Sequence, residues 1–343
     1  MNPTKHILVI RFSDIGDAAI AVPVLRCVLQ QNKNIKITVA TKAFLKPVFE
    51  TVKGVDVVTA HIRGKHKGFK GLLKFYSEIK ENNYTEIADL HGSLRSTVIK
   101  SLFKLKNVSS KTIDKGRTEK RNLVAGKEFK PLKTTIERYA AVFRALGCQV
   151  DLSKDIVPKN PDLPSKIYDL LGRDSKKWVG IAPFAFFDTK MYPIDLMEQV
   201  IEYLSKTNIF KIILFGGPKD ESELERLSTA YPNTVFTFKK ITFEEELQLI
   251  AHLDLMLSMD SGNGHLAAMY GVKVITLWGV THPYAGFYPY KQPKEYALLS
   301  DKEKYPLIPT SIYGNKAPED YKEVMRTILP QHIINKIEEV LKP

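Results

Sequence analysis

The stretch Leu253-Asp254-Leu255-Met256-Leu257-Ser258-Met259-Asp260-Ser261-Gly262-Asn263-Gly264-His265-Leu266-Ala267-Ala268 decides the fold. Its apolar run 253–258 reads as a buried strand and residues 266–270 as the first turns of a helix, joined by small residues. The start of such a helix presents N–H groups without helical partners and a positive dipole end. That combination suits a phosphate or pyrophosphate. The Ser261 and Gly262 amides are therefore expected to cradle a nucleotide-linked ligand. Asp260 and His265 bracket the turn with groups that hold hydroxyls or further phosphate, although a lone His is more often structural.

The strand–helix alternation continues outward from this turn. Residues 7–10, 36–40, 55–58 and 86–90 read as strands, and 18–30, 45–51, 69–82, 93–105 and 136–146 as helices. Residues 151–176, with Pro158, Pro161 and Pro164, read as a linker. Strands then recur at 178–182, 211–215 and 273–277, with helices at 194–205, 221–227 and 243–251. The expectation is two doubly wound, Rossmann-like α/β domains, residues 1–160 and 177–325. Residues 326–343 carry a last helix, expected to pack back on the amino-terminal domain. Open sheets of this kind bind ligands outside the carboxyl ends of their strands, so a cleft between the domains is the expected site.

A chain of 343 residues has room for two such cores. No stretch reaches the roughly 18 apolar residues of a membrane span. The first six residues run directly into a strand, which leaves no room for a signal peptide. Cys27 and Cys148 are the only cysteines and lie in apolar helical contexts, consistent with a reduced cytoplasmic setting. Charge is uneven: residues 1–150 hold 28 Lys and Arg against 12 Asp and Glu, and the remainder 23 against 26. The amino half therefore faces something anionic, such as nucleic acid, a phosphorylated glycolipid or a membrane surface, or else carries a solvated basic face.

Two further constellations sit where a cleft would collect them. Arg11-Phe12-Ser13-Asp14-Ile15-Gly16-Asp17 follows the first strand. Asp17 there reads either as a helix-start carboxylate or as a general base taking a proton from a hydroxyl. Pro183-Phe184-Ala185-Phe186-Phe187-Asp188-Thr189-Lys190-Met191-Tyr192-Pro193 follows the first strand of the second domain. Lys190 would stabilise the charge growing on a departing diphosphate, with Thr189 as a hydroxyl donor, unless it is one more surface lysine. Neither a G-x-G-x-x-G fingerprint nor a Walker A string is present, which removes the dehydrogenase and P-loop readings.

Together these segments resemble glycosyltransferase family 9, the bacterial heptosyltransferases of lipopolysaccharide core assembly, over nearly the whole chain. The family's [K/R]-x-S-x-x-G-D turn stands as Arg11 to Asp17, followed by Pro23-Val24-Leu25. Its D-L-x-G-x-x-[R/K]-S segment is Asp89 to Ser96, and its E-R-Y helix starts at Glu137-Arg138-Tyr139. Lys190-Met191-Tyr192-Pro193 matches K-x-W-P, Gly216-Gly217-Pro218 matches G-G-P, and Asp260 to Ala268 matches D-[S/T]-G-x-x-H-L-A-A. Tyr192 replaces a Trp. Leu277-Trp278-Gly279-Val280-Thr281-His282-Pro283 loses the first Pro and the Asp of L-[F/Y]-G-P-T-D-P.

The resemblance implies a GT-B fold and an inverting, metal-independent transfer from a nucleoside diphosphate sugar, typically ADP-heptose, with no cofactor. It assigns the catalytic base to Asp17 and donor binding to Thr189, Lys190, Asp260, Ser261, Gly262 and His265. Asp220, Glu221 and Ile241 fall near its nucleoside contacts. The acceptor side is expected to use Arg11, Ser13, Arg95, Arg117, Lys120 and Arg121. The implied partners are the sugar nucleotide, an anionic glycolipid and the inner-membrane surface, met by a cytoplasmic, peripherally bound monomer. A GT-B epimerase would process the donor alone. A nucleic-acid binder would interleave aromatics with its basic runs, which this chain does not.

Overall fold

A computed structural model describes residues 5–342. The opening residues 1–4, read above as part of a run too short for a leader, lie outside the described residues. The chain divides into two compact units, Met1–Arg117 with Lys133–Val157, and Thr118–Leu132 with Pro158–Pro343. The division at 157/158 falls inside the proline-rich linker. Residues 118–132, expected in the amino-terminal domain, form part of the second unit instead.

In the first unit the order is β1 (Lys5–Ile10), α1 (Ile15–Gln31), β2 (Ile35–Thr41), α2 (Lys46–Glu50), β3 (Val55–Thr59), α3 (Gly68–Ile79), β4 (Glu86–Asp89), α4 (Leu94–Lys104) and β5 (Ser109–Thr112). The chain then enters α5 (Arg117–Val124) and returns in α6 (Thr135–Ala145). The five strands are parallel and ordered β3-β2-β1-β4-β5. β1 is central and covered on both sides, which is why residues 7–10 form an unbroken apolar run. β5 is an exposed Ser-Ser-Lys-Thr edge strand whose residues carry no apolar pattern from which a strand is predicted. Segment 150–157 is fastened to α1 by a buried bidentate pair, Arg26 Nε and Nη2 to Asp155 Oδ1 and Oδ2 at 2.9 and 2.7 Å.

The second unit continues with α7 (Ser165–Leu171), β6 (Lys177–Ala182), α8 (Ile194–Lys206), β7 (Phe210–Leu214), α9 (Glu221–Ala230), β8 (Thr234–Phe236) and α10 (Phe243–Ile250). Thr242 and Glu245 close a capping box at the start of α10. Then come β9 (Leu255–Met259), α11 (Gly262–Met269), β10 (Lys273–Trp278), β11 (Ala297–Leu299) and α12 (Pro330–Leu341). This sheet is parallel in the order β11-β10-β9-β6-β7-β8. Helix α12, expected on the amino-terminal domain, packs on α8 of its own unit. Its Ile333, Ile334 and Ile337 join the core with Leu204 and Val200. No helix among the described residues is long and apolar enough to cross a membrane.

Both sheets reverse their winding direction once. In the first unit the reversal lies between β1 and β4; in the second, between β6 and β9. At such a switch point the loops leaving two adjacent strands part to opposite faces and open a crevice.

Candidate active site

The switch point of the first unit carries Asp17. Asp14 occupies the N-cap position of α1, in extended backbone and without a side-chain cap bond, which places Asp17 in the first turn. Asp17 is therefore not the cap but a first-turn carboxylate, and its side chain takes two side-chain donors. Arg11 Nη2 donates to Oδ2, and the Tyr139 hydroxyl on α6 donates to Oδ1 at 3.2 Å. The same guanidinium donates through Nη1 to the Leu90 carbonyl at 2.8 Å. Burial and the adjacent Asp17 charge push the Tyr139 phenol well above its ordinary pKa, so it stays a donor. Two donors fix the carboxylate's orientation while each oxygen keeps a further lone pair for a substrate proton.

The loop leaving β4 completes this crevice. Asp89 Oδ1 accepts from the amides of His91 and Gly92 at 3.0 and 2.8 Å, and its other oxygen pairs with Lys100 at 2.8 Å. Burial, with Arg11 and Lys115 nearby, pushes His91 down to about 4, so its imidazole is neutral at physiological pH. Arg138 holds the following loop through Asp114 Oδ2 at 3.2 Å. Gly116 has φ +58, and a Cβ there would stand 2.3 Å from Nη2 of Arg138.

The switch point of the second unit carries Lys190 and Asp260. Lys190 lies in a 3-10 turn, Asp188–Lys190, after β6, and Asp260 immediately follows β9. Lys190 Nζ and Asp260 Oδ2 are 2.8 Å apart, and Thr281 Oγ1 donates to that oxygen at 2.9 Å. Ser261 is the N-cap of α11 in extended backbone and makes no cap bond; its hydroxyl meets Ser258 Oγ at 3.0 Å. The first turn of α11 thus offers its amides without a side-chain cap, next to a lysine. His265 is buried in that helix. Thr189 donates its hydroxyl to the Gly314 carbonyl.

A family model described as Glycosyltransferase family 9 (heptosyltransferase) matches residues 72–311. The chain belongs to glycosyltransferase family 9. It is similar to the lipooligosaccharide heptosyltransferase 2 of Haemophilus influenzae, 25% identical over 305 residues, covering 81% of this chain and 84% of that one. In fold it resembles a family 9 glycosyl transferase from Veillonella parvula, with a TM-score of 0.76, 18% identity and 99% and 98% of the two chains covered. It also resembles the Escherichia coli heptosyltransferase WaaC solved with ADP, with a TM-score of 0.70, 18% identity and 98% and 99% covered. The protein is a glycosyltransferase of GT-B fold.

The structure places the remaining expected residues of this family 9 enzyme as follows. Arg11 is the ion-pair partner of Asp17, and Ser13 is half-buried beside it, joined to Asp14 by a cis peptide. Arg95 and Arg117 are exposed at the starts of α4 and α5, and Arg121 is exposed on α5 with Nη2 donating to Thr118 Oγ1 at 3.4 Å. Lys120 lies in the second unit, where its buried ammonium sits 4.4 Å from the Phe287 ring centroid. Asp220 Oδ2 accepts from the Gly217 amide at 2.8 Å and so closes the Gly-Gly-Pro loop, while Glu221 pairs with Lys239 at 2.7 Å. Ile241 is half-buried just before the α10 cap. Among the described residues no group of three or more His, Cys, Asp or Glu could hold a metal ion.

Three residues of the site escaped the sequence reading. Tyr139 stands within the E-R-Y helix motif and Thr281 within the altered L-[F/Y]-G-P-T-D-P string, where neither has a signal of its own. Gly314 lies beyond residue 311, where the family match ends. Its φ is +79, and a Cβ would stand 2.4 Å from Lys190 Cδ, so only glycine lets the lysine side chain pass.

Proposed function

We propose that this enzyme transfers a heptosyl group, with inversion, from ADP-heptose to an anionic lipopolysaccharide core acceptor. What supports the reading most is that each unit presents one half of the chemistry at its own topological switch point: an oriented carboxylate in the first, a lysine beside an uncapped helix start in the second. Asp17 takes the acceptor hydroxyl proton as that oxygen bonds to the anomeric carbon. The bond from that carbon to the diphosphate breaks on the opposite side. Lys190 and the Ser261 and Gly262 amides receive the charge that develops on the leaving ADP. Asp260 and His265 face donor hydroxyls or phosphate, and Thr189 supplies a further donor. Asp220, Glu221 and Ile241 lie toward the nucleoside, and Ser13, Arg95, Arg117 and Arg121 toward the acceptor phosphates. No metal enters any step.

The names of the curated relatives, heptosyltransferases of lipopolysaccharide and lipooligosaccharide, and the ADP bound to the WaaC neighbour support the choice of donor and acceptor. The enzyme would act as a cytoplasmic monomer at the inner-membrane surface. The test is a thermal-shift comparison of ADP, UDP and GDP, followed by product analysis with ADP-heptose and a core acceptor. Selective stabilisation by ADP and a heptosylated acceptor are expected. Preference for another nucleotide would overturn the donor, and conversion of donor without acceptor would overturn transfer.

A further inference from the structure

The first unit exposes large apolar side chains along the carboxyl edge of its sheet, the edge that carries Asp17. Helix α3 follows β3 and begins at this edge. Its Leu72, Phe75 and Ile79 already supply the inward face at i, i+3 and i+7. Phe69 and Leu73, one turn apart, point out of that face instead, and Phe69 is 63% exposed. Helix α4 follows β4, starts at the same edge and packs beside α3. Its first residue, Leu94, is 87% exposed.

Exposed cations surround these side chains. Lys67, Lys70 and Lys74 flank Phe69 and Leu73 along α3. The one acidic residue of α3, Glu78, is taken by Lys65 at 3.0 Å and by His66 at 3.2 Å. The loop before the helix is held in place by His66, whose Nδ1 accepts from the His61 amide at 3.0 Å. A Cβ on Gly71 would stand 2.3 Å from the His66 carbonyl carbon, so this loop packs directly under α3. A fixed helix start that shows Phe and Leu within a collar of lysines matches the two layers of an anionic bilayer surface, charged headgroups above acyl chains.

We propose that the α3–α4 edge is a membrane-docking face, on which Phe69, Leu73 and Leu94 insert among the acyl chains of an anionic bilayer while Lys67, Lys70 and Lys74 meet the headgroups. The inference rests on the glycolipid-acceptor reading, because docking by this edge brings the Asp17 crevice to the surface in which such an acceptor is anchored. Scattered apolar residues on a protein surface need no explanation. Two flanked by lysines on α3 and a third at the start of the adjoining α4, all on the edge that carries the candidate base, do.

The test is cosedimentation of the full chain with phosphatidylglycerol–phosphatidylcholine vesicles and with pure phosphatidylcholine vesicles. Wild type should bind the anionic vesicles, and more weakly as salt rises. The triple variant F69S/L73S/L94S should lose at least about tenfold in partitioning, and K67Q/K70Q/K74Q should lose the preference for anionic lipid. Circular dichroism confirms that both variants fold. Transfer to a deacylated, water-soluble core acceptor should stay at the wild-type rate in the triple variant, while transfer to vesicle-borne acceptor falls with binding. Failure of wild type to bind anionic vesicles, or wild-type partitioning of the triple variant, overturns the proposal and leaves the face to a protein partner. Absence of transfer to every acceptor with vesicle binding intact would instead overturn the glycolipid reading.

Discussion

Lys190 and Asp260 are paired at 2.8 Å across the loops that leave β6 and β9. The cation assigned to the leaving diphosphate thus rests on a carboxylate that Thr281 also holds. A diphosphate must draw the lysine from this partner or share it. Lys190→Ala removes the cation and strands a buried carboxylate. ADP affinity measured by calorimetry should fall on the order of tenfold or more, a charge-assisted hydrogen bond contributing about 1.5–3 kcal/mol. Unchanged affinity would detach Lys190 from the diphosphate.

Asp17→Asn keeps the shape of the side chain and removes its basicity. Turnover is expected to drop by roughly 10²–10⁴, with ADP affinity as in wild type, since the proposed donor groups lie on the other unit. A variant turning over at close to the wild-type rate would remove Asp17 from the role of base.

Tyr139→Phe deletes one of the two donors to Asp17 and leaves the ring in place in the core. As a positioning residue it should lower kcat about threefold to thirtyfold, the equivalent of a net hydrogen bond or somewhat more, without raising the KM for the donor. A change confined to KM would contradict that role.

Gly314→Ala adds a single methyl group where the backbone has φ +79 and Lys190 passes within 2.4 Å of the new carbon. The lysine must shift, so ADP binding should weaken while the remainder of the second unit folds as before. Calorimetry on the alanine variant, read beside Lys190→Ala, checks this: the two losses should not add, because they act on one side chain.

Burial raises Glu246 on α10 to about 7, its carboxyl accepting from Thr237 Oγ1 at 2.8 Å. The folded state therefore binds a proton that the unfolded chain releases near pH 4.5. Its contribution to stability is complete below that pH and is lost as pH rises to about 7. Glu246→Gln, neutral throughout, should gain on wild type as pH rises from 5 to 8. The gain is on the order of 1–3 kcal/mol, allowing for partial exposure, or a few degrees in Tm. A difference in Tm that is flat with pH would show that Glu246 is ionised in the folded state across this range.

The local order of this protein is written in its sequence. Strand β9, the small-residue turn and α11 follow from apolar run, turn chemistry and helix period, all set by neighbours within a few residues. The same reading found the alternation of both sheets and put Asp17, Lys190 and Asp260 at strand ends. Short edge strands such as β5 escaped it, because an exposed pair of ladder hydrogen bonds needs no apolar pattern. The transfer of residues 118–132 to the second unit escaped it as well. That choice depends on Leu123 and Leu132 packing with Ala285, and on the Leu132 amide donating to the Tyr284 carbonyl at 2.9 Å, contacts more than 150 residues apart. Only the tertiary structure could bring Tyr139 to Asp17, Thr281 to Asp260 and Gly314 to Lys190, since no local period encodes a meeting between loops of distant strands. The sequence determined that the proposed base, lysine and carboxylate stand at strand ends; long-range packing decided which side chains hold them in place.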